Sequence, residues 1–301
     1  MNSTTRRDFA RGVALAGAGL LGRGGATASP SRPALCLFSK HLPKLNYAEL
    51  AQTVQQMGFD GVDLTVRPEG HVLPERAAQD LPRAVDAIRG RSLAVSMITT
   101  GLVSASDPAA RPTLATAGKL GVPFFKLGYW QYSPAISIEA RLAEVRRDVA
   151  SLVAMGKECG ITAGYHNHSG HYVGAAVWDI RSIIGDMDPR WIGYYFDPCH
   201  ATAEGGEGGW QISLRMALAR IKMVAIKDFF WEKRAGKWEM RMCPLGEGMV
   251  RWPEFFAALR NARFTGPISM HVEYEPADES AIARDFAFLR KQVNAAYGGV
   301  S

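Results

Sequence analysis

Gly160-Ile161-Thr162-Ala163-Gly164-Tyr165-His166-Asn167-His168 is the stretch on which the reading of this chain turns. Its first half is a short apolar run that reads as a β-strand. Its second half is polar, and with His171 it packs three of the seven histidines into six residues. Residues two apart on a strand point to the same face, so His166 and His168 share one. Two imidazoles on one face at a strand's end point to a metal site or a polyol-binding site. The plainer reading is a hydrogen-bonded histidine pair lining a polar crevice.

The same unit recurs outward from this strand. Strand-like runs are expected at 34–38, 61–66, 93–98, 124–127, 162–166, 192–196, 223–227 and 268–273. Amphipathic segments lie near 47–57, 78–89, 108–119, 138–159, 174–186, 210–219, 252–262 and 279–296. In 138–159, Leu142, Val145, Val149, Leu152, Val153 and Met155 recur at helical spacing. Strict alternation implies parallel pairing through right-handed crossovers. Eight such units predict an α/β fold, a closed (β/α)8 TIM barrel. The alternative is a doubly wound open sheet. Its dinucleotide-binding version lacks a Gly-x-Gly-x-x-Gly after an early strand.

Two segments interrupt the rhythm. Residues 228–248 are long for a βα connection. They carry Phe229, Phe230, Trp231, Trp238, Met240 and Met242, with a hairpin turn expected at 233–237. Residues 201–209 hold Gly205, Gly206, Gly208 and Gly209 and are expected to form a mobile loop. In a barrel both follow strands on the C-terminal face, where active sites form. The aromatic segment also suits a small apolar core or a contact between subunits of a homo-oligomer.

The chain divides into a leader, 1–28, and a single barrel domain, 29–301. Thr5-Arg6-Arg7-Asp8-Phe9 is a twin-arginine pattern, the residues from Gly12 to Leu21 are apolar and small, and Ala26-Thr27-Ala28 offers a cleavage site. That order is expected of a Tat-type export signal, and hence of a periplasmic or other extracytoplasmic protein. The leader carries Arg6, Arg7, Arg11 and Arg23 against Asp8, so it holds +3 of the chain's +6 and leaves +3 on the barrel. A charge that small argues against a nucleic-acid partner. No apolar run approaches the roughly 20 residues of a membrane span. The four cysteines are far apart in sequence and form no CxxC pair.

Polar residues at the C-terminal ends of barrel strands face the pocket. Asp63, Arg67 and His71 follow from strand two, and Lys126 from strand four. Strand five gives His166 and His168, strand six Asp197 and then His200. Strand seven gives Lys227 and Asp228, and strand eight His271, Glu273 and Glu275. Carboxylates and imidazoles from separate strands meet the ligand needs of Mn, Zn, Co or Fe.

This order of motifs resembles the sugar phosphate isomerase/epimerase family, the xylose isomerase-like barrels that include the type 2 AP endonuclease branch. The resemblance covers about residues 34–295. It rests on Gly58-Phe59-Asp60-Gly61-Val62-Asp63, Tyr165-His166-Asn167-His168, Phe196-Asp197-Pro198-Cys199-His200, Ile226-Lys227-Asp228, Leu245-Gly246-Glu247-Gly248 and Glu273. It implies an enzyme acting on a small-molecule sugar through a divalent metal held by Glu, Asp, His and Glu. Asp197 and Glu273 match that set. His166 stands where the first glutamate is expected, and Ala225 where the histidine is, so His200 or His168 would complete the set. The implied metal ligands are therefore His166, Asp197, His200 and Glu273. Glu273, His166 and Lys227 would carry proton abstraction next to a carbonyl. His168, Asp63, Arg67, His71, Lys126 and Trp231 would bind substrate. A lyase or hydrolase on an oxidised glycoside, or a sugar-binding protein without catalysis, are the alternatives.

Overall fold

A computed structural model describes residues 32–298. The expected leader, 1–28, lies outside these residues. Eight parallel strands close in the order β1-β10-β7-β6-β5-β4-β3-β2. These are β1 (Leu35–Phe38), β2 (Gly61–Val66), β3 (Ala94–Thr100), β4 (Phe124–Lys126), β5 (Thr162–His166), β6 (Ile192–Phe196), β7 (Ile221–Ile226) and β10 (Ile268–Met270). Between them run α1 (Tyr47–Gln56), α2 (Ala77–Arg89), α3 (Ala110–Lys119), α4 (Ile138–Cys159), α5 (Val177–Ile184), α6 (Pro198–Ala217), α7 (Trp252–Asn261) and α8 (Glu279–Tyr297). The expected TIM barrel is the observed one.

Local chemistry sets where these elements begin. Asn46 caps α1 by accepting from the amides of Ala48 and Glu49, and the Glu49 carboxylate accepts from the Asn46 amide. That reciprocal pair satisfies amides left free at a helix start. Ser137 caps α4 more simply, its Oγ accepting from the Ala140 amide. Gly160 ends α4 at φ +74°, a left-handed conformation that costs glycine little, and the chain enters β5 two residues later.

The interior of the barrel is layered. Met97, Met223 and Ala225 pack with Tyr195 and Phe124 as an apolar floor. Gly164 leaves room for Met223 there: a Cβ at Gly164 would lie 1.9 Å from its methyl carbon. One layer above, buried Asp63 on β2 accepts from Thr99 Oγ1 on β3 (2.8 Å), Ser269 Oγ on β10 (2.8 Å) and Tyr195 Oη on β6 (3.2 Å). The larger apolar core fills the space between strands and helices, as expected of a closed barrel.

Three expectations need correction. The eighth barrel strand stops at Met270, because the amide of Val272 donates to His41 Nε2 instead of a neighbouring strand. Lys227 lies just past β7, where the chain turns out into an antiparallel hairpin, β8 (Asp228–Arg234) and β9 (Lys237–Cys243). The expected loop 201–209 is mostly helix. Asp197 caps α6 and Pro198 occupies its first turn, so the helix starts at once and is broken only at Gly206, Glu207 and Gly208. The hairpin turn falls at Ala235-Gly236, both with positive φ, as a type I′ hairpin turn requires.

Candidate active site

At the C-terminal mouth of the barrel a cavity of about 110 Å³ is lined by Phe38, Lys40, Arg67, Thr99, Lys126, Tyr129, His166, His168, Tyr195, Lys227, His271 and Glu273. Of the residues expected to bind or react, six line it: Arg67, Lys126, His166, His168, Lys227 and Glu273. Asp197 and His200 lie directly behind them, buried.

Asp197 is the hinge of the inner wall. Its Oδ1 accepts from the His200 amide at 3.2 Å, and Asn167 bonds its backbone on both sides at 2.8 and 2.9 Å. Its Oδ2 faces His166 Nε2 (3.2 Å), Lys227 Nζ (3.4 Å) and His200 Nε2 (3.7 Å). A carboxylate only accepts, so His166 carries its proton on Nε2. Its Nδ1 then accepts from Tyr129 Oη at 2.7 Å. Burial, reinforced by Lys227 and Lys126, pushes the His166 pKa well down, so the ring is neutral.

His168 is differently placed. Its Nδ1 lies 3.0 Å from the Ser169 carbonyl, which can only accept, so the proton sits there and Nε2 keeps its lone pair. Burial, with Lys227 next, lowers its pKa. The ring lies tilted against His200 (4.0 Å) and edge-on to Tyr129 (5.1 Å).

Three lysines, one arginine and one carboxylate line the cavity. Lys227 Nζ is 3.1 Å from Glu273 Oε2, and Lys40 Nζ is 3.0 Å from Glu273 Oε1. Burial alone would raise the Glu273 pKa, but Lys227, His271 and Lys40 outweigh it and hold the carboxylate ionised far below its usual range. Burial likewise lowers the Lys227 pKa, and Asp197 and Glu273 more than reverse it. Lys126 is buried and its Nζ sits 3.3 Å from the Tyr129 ring centroid. Burial, then Arg67, drives its pKa well down.

The remaining expected residues do other work. Asp63 lies beneath the cavity in the polar layer, with its pKa pushed up to about 6 by burial. His71 bonds Thr65 Oγ1 and the Leu42 carbonyl, and so shapes the loop after β2. Trp231 is 41% exposed on the hairpin, outside the cavity lining. Asp228 anchors the hairpin, accepting from the amides of Phe229, Gly246 and Val250 and from Trp252 Nε1. Tyr129, Lys40 and Ser169 were not singled out by the sequence. Each follows a strand end closely, the one signal that would have found them. An outer, open groove of about 540 Å³ shares Lys40 and Glu273 with the cavity and continues past Met242 and Tyr274.

A family model for the xylose isomerase-like TIM barrel matches residues 51–292. The chain belongs to that family. It is 25% identical over 185 residues to inosose dehydratase 2 of Bacillus cereus, a match that spans 58% of this chain and 58% of the relative. Its fold is similar to that of 3-keto-D-glucoside 4-epimerase from E. coli, with a TM-score of 0.68 and 16% identity over 86% of this chain and 100% of the other. A D-allulose 3-epimerase from Methylomonas sp. in complex with D-allulose gives a TM-score of 0.65 at 16% identity, over 88% and 99%. A xylose isomerase-like barrel from Mycobacterium smegmatis in complex with magnesium gives 0.69 at 15%, over 88% and 97%.

The divalent ion implied by the resemblance does not fit the side chains present in this barrel. Among the described residues, no three His, Cys, Asp or Glu side chains are arranged to hold one. Of the expected set of His166, Asp197, His200 and Glu273, the two carboxylates pair with the Lys227 ammonium instead, and His166 Nε2 is committed to Asp197. A divalent ion about 3 Å from that ammonium would be repelled by roughly 10 kcal/mol, even at an effective dielectric near 20.

Proposed function

We propose that this protein is a sugar-modifying enzyme that removes a proton from the carbon next to a carbonyl of a keto-sugar, and so isomerises or epimerises it. One observation carries the reading: a neutral His168 with a free Nε2 lone pair lines the same small cavity as Lys126 and Arg67. A base and nitrogen groups that stabilise a developing oxyanion are the two requirements of this chemistry. His168 Nε2 takes the α-proton, the C–H electrons move into the carbonyl, and the enediolate oxygen rests against the Lys126 amine and Arg67. Charge building on that oxygen favours the protonated form of Lys126. Return of the proton to the neighbouring carbon, with the α-hydroxyl proton passing to the enediolate oxygen, isomerises the sugar; reprotonation of the same carbon from its opposite face, by water or a second acid there, epimerises it. His166 is less suited to be the base, since both its nitrogens are engaged. Glu273, held ionised by two lysines, suits the binding of a sugar hydroxyl.

The same first step followed by loss of the β-substituent gives a lyase on an oxidised glycoside. The outer groove beside Lys40 and Glu273 offers space for a leaving group, and the inosose dehydratase relatives carry out an elimination by name. The twin-arginine stretch supports export, which would place the reaction outside the cytoplasm.

Incubation with D-allulose, an inosose and a 3-keto-glucoside in D₂O tests the reading. Deuterium is expected to enter the carbon next to the carbonyl of at least one of them, and to be lost in His168→Gln. No exchange with any of the three would leave a sugar-binding protein without catalysis. Unchanged exchange in His168→Gln would remove His168 as the base.

A further inference from the structure

We infer that Lys227 is a built-in replacement for the divalent ion: its ammonium holds the two carboxylates that would otherwise bind a metal, and the enzyme works without one. Lys227 is 2% exposed, and its Nζ lies between Asp197 Oδ2 at 3.4 Å and Glu273 Oε2 at 3.1 Å. These are the two positions that match the family's ligand set. The two positions that depart from it depart in a consistent way. Ala225, two residues before Lys227 on the same strand face, has only a methyl group and belongs to the apolar floor. It offers no ligand, and its small volume leaves the space above it to the lysine. His166 turns the nitrogen that faces the centre into a donor by bonding Asp197.

Charge points the same way. Asp197 and Glu273 supply two negative charges, and Lys227 and Lys40 supply two positive ones within 3.4 Å of them. The inner wall is neutral without any added ion. Arg67 already adds a further positive charge to the cavity lining, and a metal would add two more. His200 Nε2 is buried without a hydrogen-bond partner and faces Asp197 at 3.7 Å, so it is a ligand-type nitrogen left free beside that carboxylate. It would join Asp197, Glu273 and a rotated His166 around the space that opens if the ammonium is removed.

This inference rests on side-chain placement and is independent of the keto-sugar reading, because metal content and melting report it directly. The full-length protein is loaded with Mn²⁺, Co²⁺, Zn²⁺ or Mg²⁺, dialysed and analysed for metal, and Mn²⁺ binding is followed by calorimetry. Wild type is expected to retain less than about 0.1 ion per chain, and EDTA is expected to leave its melting temperature unchanged. Lys227→Ala is expected to bind Mn²⁺ at one ion per chain, at least about 100-fold more tightly than wild type, and to melt higher when the ion is present. Lys227→Met, which fills more of the space, is a second variant should the first fail to fold. One ion per chain in wild type, stripped by EDTA with a fall in melting temperature, would overturn the inference. Folded Lys227 variants that take up no more ion than wild type would overturn it as well. Should neither variant fold, the wild-type metal content decides alone.

Discussion

His168 and His166 stand two residues apart on one strand face, yet their hydrogen bonds separate their roles. The Ser169 carbonyl fixes the proton of His168 on Nδ1, whereas Asp197 fixes that of His166 on Nε2. A base must be unprotonated to act. Because the His168 pKa is lowered from 6.5, kcat/KM is expected to fall only as the pH drops below that value and to be level by pH 7. His168→Gln should lower kcat by about 10²- to 10⁴-fold and abolish the acidic limb, read from initial rates across pH. A limb centred above pH 7 would contradict the assignment. At this scale the sequence told much about identity and little about role. Strand alternation put His166, His168, Lys126 and Lys227 at the mouth. It had no means of showing that Lys227 would reach between Asp197 and Glu273, since that depends on three strands far apart in the chain. Tyr129, which meets both Lys126 and His166, comes from a loop whose path periodicity does not describe.

Among the elements, the β8–β9 hairpin owes its position to Asp228. Four donors converge on that buried carboxylate, from Phe229, Gly246, Val250 and Trp252, and they tie the hairpin base to the start of α7. The hairpin in turn meets the loop after His168, the proposed base, where Ser169 Oγ lies 3.6 Å from Met240 Sδ. Asp228→Ala leaves three amides and an indole N–H without their acceptor and is expected to cost roughly 3 kcal/mol. Urea unfolding measures the loss. Limited trypsinolysis should show faster cutting beside Lys233 and Lys237, and unchanged cutting would mean that the hairpin is held elsewhere. Elements were the most legible level, with the bounds of β2, β5 and β6 matching the expected ones. The glycine-rich stretch misled because composition weighs each residue equally. Asp197 and Pro198 start α6 before the glycines are reached, and only three residues leave helical geometry.

Across the whole barrel, the Asp63 layer joins four of the eight strands through side chains alone. Burial raises the pKa of Asp63 from 3.8 to about 6, so the folded state holds the proton more tightly than the unfolded chain. Its stabilising contribution is therefore complete below pH 3.8 and is lost as the pH rises through 6. Between pH 5 and pH 8 that loss amounts to roughly 1.4 kcal/mol. Asp63→Asn cannot ionise, so its stability relative to wild type should improve by about that amount over the same interval, measured by urea unfolding at the two pH values. A constant difference would show that Asp63 titrates alike in both states. Strict alternation of eight units made the closed barrel legible, whereas this layer was hidden, because Thr99, Tyr195 and Ser269 read as ordinary strand residues. The barrel's direction has one more consequence. Arg32 pairs with Asp60 just before β2, and Tyr297 Oη donates to the Phe264 carbonyl just before β10. The chain thus enters and leaves the barrel on the face opposite the cavity. A support coupled through residue 32 or residue 297 would present the mouth outward to solvent, and the immobilised protein is expected to keep whatever deuterium exchange the free one shows.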